Sequence, residues 1–338
     1  SAKTSFIQRL PFGISHVQQY LPLLPFAIEQ LDLEDYPLVI SSSHLVAKGV
    51  LTSPDQMHIS YVHTPVRYAW DQMNIYMKRS FLKKIGLEPF IRWQLHCLRQ
   101  WDQLSSLRVD YFLANSSFTA KRIAKYWRRT SQVLHPPVSV DRFSWNKPRD
   151  DFYLCICRLV PNKRVDLVVR AFNELRLPLI VVGDGVERRY LEKIAGPTIN
   201  IMGYQSMESV KHLMEHCRAF VYAGIEDFGI APVEAMAAGA PVIALAKGGV
   251  LDTVRCFHVD PDNATGILFH EQTVKSLVDS IEFFRDKKLW REMNSEFIRN
   301  WANTFFLDAF NSGLEKALNR AWSAFKHSCD IDTSDLKI

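Results

Sequence analysis

Two glutamates eight positions apart, Glu226 and Glu234, bracket the most chemically suggestive stretch of the chain, Ala223–Val242. Between them lie Phe228, Gly229 and Ile230, and Pro232 stands just ahead of Glu234. The apolar run Ala219–Tyr222 before them reads as a strand, and proline suits the first turn of a helix. The spacing therefore predicts strand, turn and helix, with the Gly229 and Ile230 amides at the helix N-terminus. There the helix dipole and unbonded N–H groups favour a phosphate. One carboxylate before the helix and one inside it could grip hydroxyl groups on both sides of that phosphate. A second candidate is Cys157–Arg164, where Arg158 and Lys163 fall between a strand-like run and a helical one. An Arg and a Lys alone are more often a solvated face; their place between strand and helix favours a function. Gly183-Asp184-Gly185 and Ile201-Met202-Gly203 close two further apolar runs, and alone they read as strand-end turns. In the first third, His63 ends the run Met57–Val62, at the rim where α/β proteins form ligand sites. Thr64-Pro65 and Arg67 follow it.

These residues need strands to carry them, and the chain supplies the pattern. Over residues 148–300, apolar runs of strand length alternate with helical spacings: 152–157, 177–182, 198–202, 219–222 and 241–245 against 166–175, 187–195, 207–217 and 232–238. Such alternation implies βαβ units on a parallel sheet, and buried parallel strands read as continuous apolar runs. The first 145 residues repeat the theme, with strands at 37–41, 57–62, 109–114 and 132–134 and a long helical stretch at about 70–107. Polar residues 144–151 form the candidate linker. Residues 290–325 read as amphipathic helices, long enough to cross from one domain back to the other. The expected division is 1–145, 146–300, and 301–338 as returning helices with a polar tail. A length of 338 residues agrees with about two domains.

The motifs together resemble the Glu-x7-Glu signature of retaining GT-B glycosyltransferases, glycosyltransferase family 4 (group 1), and within it O-antigen and other cell-surface mannosyltransferases. The glutamates, Phe228-Gly229 and Glu234-Ala-Met-Ala-Ala-Gly-Ala-Pro-Val242 all match. Further matches are Cys157–Arg164, Gly183–Gly185, Ile201–Gly203, Gly248–Val254, Thr265–Phe269, His58–Tyr68, Asn115–Ser117 and Pro136–Phe143. Ser41–Gly49 also fits the subgroup, without assignable roles, and Asp252 stands where the family usually has Glu. The resemblance implies two doubly wound Rossmann-like domains facing a cleft. It implies a donor site in which Arg158 and Lys163 face the two phosphates of a nucleoside diphosphate, whose charge grows as the glycosidic bond breaks. Gly183, Gly203, Phe228, Gly229, Ile230 and Arg67 would join donor binding, Glu234 would hold the ribose hydroxyls, and Glu226 and His63 would serve the transferred sugar. The implied reaction is retaining transfer of a hexose, with mannose from GDP-mannose the first choice, to a glycan or lipid-linked acceptor. No cofactor besides the nucleotide sugar is implied. Family members open with a strand and a Gly-rich loop facing the acceptor; no such segment precedes Pro37, so roughly sixty residues, about two βαβ-scale pieces, are expected to be absent.

Composition narrows the partners. Net charge is +5, too small to argue for nucleic acid, and no run reaches membrane-spanning length. Residues 61–130 hold thirteen Lys and Arg against four Asp and Glu, interleaved with aromatics such as Trp70, Phe81, Phe90 and Trp93. This reads either as a solvated helix face over core aromatics or as a surface for anionic lipid. A cytoplasmic protein, peripheral at the inner membrane face, is expected. Six scattered cysteines (97, 155, 157, 217, 256, 329) lack zinc spacing and read as reduced thiols. Asp330-Ile-Asp332 and Asp260-Pro-Asp262 are poorly placed for a metal, and no metal is expected. The alternatives are a GT-B nucleotide-sugar epimerase, which would need acid–base groups not identifiable in the first domain, and a non-catalytic nucleotide-sugar-binding scaffold. A dinucleotide oxidoreductase is more distant, because no full G-x-G-x-x-G follows a first strand.

Overall fold

A computed structural model describes residues 4–15, 17–71, 73, 86 and 88–329. Phe81, the basic residues Lys78, Arg79, Lys83 and Lys84, the middle of the 70–107 stretch and Asp330-Ile-Asp332 lie outside the described residues. The chain divides into two compact units: residues 1–134 with 313–338, and residues 135–312. The division falls at Leu134/His135, so the polar stretch 144–151 lies inside the second unit.

The first unit holds a parallel sheet of β1 (Leu38–Ser43), β2 (Met57–Val62), β3 (Tyr111–Ala114) and β4 (Gln132–Val133), in spatial order 1-2-3-4. Among the described residues these strands advance in one direction, without the reversal expected of a doubly wound sheet. Every residue of β2 is buried, including His58, whose Nε2 lies 2.8 Å from Ser41 Oγ. Burial pushes the His58 imidazole down to about 4. The helices of this unit are α1 (Leu24–Glu29), α2 (Glu88–Ser105) and α3 (Ser117–Trp127). In α2, Ile91, Leu95, Leu98 and Asp102 recur at helical spacing on one buried stripe. Asp102 is the polar member, and a buried carboxylate must be paired. It meets the wholly buried Lys48 at 3.0 Å and accepts from the indole N–H groups of Trp70 (2.8 Å) and Trp127 (2.7 Å). Ser116 caps α3 by accepting from the Thr119 amide.

The second unit holds β5 (Tyr153–Ile156), β6 (Leu179–Val182), β7 (Ile199–Gly203), β8 (Ala219–Tyr222), β9 (Val242–Leu245) and β10 (Gly266–Phe269). All pair in parallel, in spatial order 10-9-8-5-6-7. Between them run α4 (Val165–Leu175), α5 (Arg188–Ile194), α6 (Met207–His216), α7 (Ile230–Ala237) and the short α8 (Val250–Thr253), then α9 (Val274–Asp286), α10 (Leu289–Glu292) and α11 (Ser295–Ala302). The sheet is covered by apolar side chains, among them Tyr153 packed edge-on to Phe172 at 5.1 Å. The order reverses between β5 and β8, and such switch points open a crevice at the carboxyl ends of the strands. The last helix, α12 (Leu307–Cys329), starts in the second unit and ends in the first. Its Gly313 passes so close to Leu134 that a Cβ there would stand 2.6 Å from Leu134 Cδ1.

Candidate active site

The switch point gathers the predicted residues of the second unit. Arg158 and Lys163 follow β5, Gly183 follows β6, Gly203 ends β7, and Glu226, Phe228, Gly229, Ile230 and Glu234 follow β8. The loops are knit to each other by main-chain bonds: Cys157 N–H to Val182 O (3.1 Å), Gly183 N–H to Gly203 O (2.8 Å) and Leu159 N–H to Asp184 O (2.9 Å). This crowding fixes the residue at 183, since a Cβ there would stand 1.9 Å from the Cys157 carbonyl oxygen. Gly203 lies under the guanidinium of Arg188.

Two helix starts meet at this switch point. Gly229, at φ +94°, is the N-cap of α7, and no side chain caps that end. The first amides of α7 are thus free for an anion, with the dipole behind them. At the other end of the dipole, Arg149 donates to Ala238 O at 2.6 Å and Arg299 to Ala237 O at 3.3 Å, which suits the negative helix terminus. Lys163 closes a short 3-10 turn, Pro161–Lys163, ahead of α4. Its ammonium is bonded to the Glu226 carboxylate, which also accepts from the Tyr222 hydroxyl. Arg158 is exposed and makes no ion pair among the described residues. An exposed cation of this kind is available to a ligand carrying several negative charges.

The Glu226 backbone is held from below. Gly249 N–H donates to Glu226 O at 2.9 Å, and Gly248 forms an isolated parallel bridge with Glu226. Phe228 differs from its assignment as a donor contact. Its ring is 4% exposed and turns into the core against His135 (5.6 Å) and Phe305 (5.7 Å). What Phe228 offers a ligand therefore comes from its backbone. His135 Nε2 lies 3.2 Å from Asp252 Oδ2, so the residue standing in the place of the family's glutamate braces this loop from behind. Glu234 is largely buried within α7 and bonded to Arg142. Burial pushes its carboxyl above the ordinary range, and the guanidinium of Arg142 opposes that shift.

His63 and Arg67 belong to the first unit. His63 follows β2, its Nε2 2.8 Å from Ser42 Oγ and its ring edge-on to Tyr61 at 5.2 Å. The Asn115 amide donates to its carbonyl at 2.9 Å. Arg122, nearly buried, donates to Thr64 Oγ1 and pairs with Asp71 at 3.0 Å, fixing the turn that follows His63. Arg67 is half-buried.

Sequence reading missed Tyr222, Arg142, Ser42 and Arg122. In the sequence Tyr222 is simply the last residue of an apolar strand run. Arg142 lies 92 positions from Glu234, and no spacing signals a pair so distant. Among the described residues no group of three or more His, Cys, Asp or Glu could hold a metal ion, and no helix is long and apolar enough to cross a membrane. Cys97, Cys155, Cys157, Cys217 and Cys256 are free thiols.

Two parallel-sheet α/β domains, the second with a strand order that reverses at a switch point, have the GT-B architecture. Sucrose-phosphate synthase from Thermosynechococcus elongatus shares the fold, with a TM-score of 0.69 at 18% identity over 93% of this chain and 81% of that one. The Anabaena protein HepE, solved in complex with UDP and glucose, gives 0.63 at 15% identity over 92% and 84%. Residues 138–303 match the family "Glycosyl transferases group 1". Among curated relatives, the alpha-1,3/1,6-mannosyltransferase ALG2 of Rhizomucor pusillus is 24% identical over 70% of this chain and 62% of its own length. The GDP-mannose-dependent alpha-(1-6)-phosphatidylinositol monomannoside mannosyltransferase of Mycolicibacterium smegmatis is 29% identical over 41% and 45%. The chain thus spans less than two thirds of the length of these relatives.

Proposed function

We propose that this chain transfers a hexose, mannose before others, from a nucleoside diphosphate sugar to a glycan or lipid-linked acceptor, with retention at the anomeric carbon and without a metal. The observation that carries this is the convergence at one switch point of Arg158, Lys163, the uncapped start of α7, and two carboxylates on either side of it. The positive charge sits where a leaving diphosphate develops negative charge, and preorganised charge of this kind is worth several kcal/mol. Glu234 accepts from the ribose hydroxyls. Glu226 exchanges its bond to Lys163 for bonds to sugar hydroxyls as the diphosphate claims the ammonium. The acceptor oxygen attacks the anomeric carbon from the face the phosphate leaves, and its proton passes to a phosphate oxygen. One C–O bond forms, one breaks, and nucleoside diphosphate departs. His63, bonded to Ser42, is assigned to the transferred sugar by the resemblance alone. The names of the relatives, several of them mannosyltransferases, support the choice of sugar and of lipid-linked acceptor.

The test is calorimetric titration with GDP, UDP and ADP and their sugars, without metal. One diphosphate is expected to bind tightly, and Arg158→Ala with Lys163→Ala to abolish it. No binding by any of them overturns the reading. Activity is expected to survive a chelator; loss rescued by Mn2+ or Mg2+ removes the metal-free clause. The protein also works at an anionic membrane face in this proposal. Exposed Lys121, Lys125 and Arg128 on and after α3, and Phe90 and Trp93 at 49% and 59% exposure on α2, support that. Flotation with anionic but not neutral vesicles is the expected outcome, and equal behaviour with both removes it.

A further inference from the structure

Glu234 is held by a device that no motif announces. Arg142 closes the 3-10 turn Val140–Arg142 and reaches across to α7, where its Nη2 donates to Glu234 Oε1. The other carboxylate oxygen, Oε2, makes no hydrogen bond among the described residues. The guanidinium is itself fixed: it lies over the Phe143 ring at 4.9 Å, and its Nη1 is 3.8 Å from Met207 Sδ. The turn that carries it is pinned to the same helix. Arg299 of α11 donates both to Val140 O in the turn and to Ala237 O at the end of α7. Turn and helix are thus tied at two points, one of them the carboxylate.

We infer that Arg142 is a positioning residue for nucleotide recognition: it fixes one oxygen of Glu234 so that the other is presented, ionised and singly oriented, to the vicinal hydroxyls of a ribose. The inference rests on the proposed nucleotide-sugar reading and deepens it. A free glutamate on a helix samples several rotamers, and each hydrogen bond to it must overcome that entropy. A charge-assisted bond to a guanidinium removes it beforehand. The partial burial of Glu234 favours the protonated carboxyl, which would offer a donor where two acceptor bonds are needed; the cation opposes this.

The experiment compares the affinity of the intact chain for a ribonucleoside diphosphate with that for its 2′,3′-dideoxy counterpart. Wild type is expected to prefer the ribo form by about tenfold or more, the worth of one charged hydrogen bond. Arg142→Met should bring that ratio to about two or below while binding of the dideoxy form changes less than about twofold. Arg142→Lys should restore part of the ratio. Adding Arg142→Met to Glu234→Gln should cost no further discrimination, because the arginine acts through the carboxylate. A wild-type ratio in Arg142→Met overturns the inference and leaves the nucleotide-sugar reading standing. Wild type that binds diphosphate without ribose preference removes Glu234's role and the inference together. Absence of any nucleotide binding removes the reading itself. Should Arg142→Met fail to fold, Arg142→Gln carries the same comparison.

Discussion

The residue that most changes the picture of the sugar side is Tyr222. Its hydroxyl and the Lys163 ammonium both donate to Glu226, so the carboxylate is already oriented for the role proposed for it. Tyr222→Phe removes one donor and little volume. The expected result is a loss of roughly five- to tenfold in kcat/KM, the worth of about one hydrogen bond, with Tm nearly unchanged; an unaltered kcat/KM would mean that Tyr222 does not orient Glu226. A second residue, His58, makes a statement about pH. Its folded value of about 4 lies below the unfolded 6.5, so the unfolded chain takes up the proton first on acidification. Its contribution is complete above pH 6.5 and is lost as pH falls toward 4. Between pH 7.5 and 5, wild type should lose about 2 kcal/mol more stability than His58→Gln, read from urea midpoints; equal losses would refute the assignment. At this scale the sequence was legible where chemistry repeats at fixed spacing. Glu226, Glu234, Arg158 and Lys163 stood out because strand, turn and helix signals flanked them. Their partners did not: Arg142 and Tyr222 are brought in by packing, and Phe228 belongs to a motif yet points its ring into the core.

At the scale of elements, the apolar runs marked five of the six strands of the second unit, β5 to β9, to within two residues, because parallel strands buried on both faces have no polar alternation to confuse the reading, while β10 was marked only by the family match Thr265–Phe269. The strand order was not legible, since pairing depends on which crossover packs on which face. The loop after β9 shows what an element adds to a site. Gly248 adopts φ +93°, and a Cβ there would stand 2.4 Å from Glu226 O. Gly248→Ala therefore meets a left-handed backbone penalty of about 1 kcal/mol and a clash with the loop that carries Glu226. The expected outcome is a Tm several degrees lower and a larger loss of affinity for the nucleotide sugar than for the nucleoside diphosphate alone. Equal losses for both ligands would show that this loop supports the fold without aligning the sugar carboxylate.

At the scale of the whole molecule, the returning C-terminal helix expected from the sequence is α12, and its length and aromatic content made it legible. The boundary was less so. The polar linker signal at 144–151 is absorbed by the second unit, where Arg149 donates to main-chain oxygens of Met214, Glu215 and Ala238; a cation in a polar stretch looked like linker because its acceptors lie elsewhere in the chain. A chain stopped after Ser312 is expected to keep nucleotide binding in the second unit while the first unfolds at lower denaturant, as followed by separate transitions in urea; a single unchanged transition would refute that division. The same discontinuity bears on synthesis. The second unit is one uninterrupted stretch and can fold as soon as it leaves the ribosome, whereas the first, begun earlier, is completed only when Gly313, Ala317 and Ala321 arrive to cover it. The unit made first is therefore finished last. Through most of translation its sheet waits incompletely covered, and that interval is where a chaperone has most to protect.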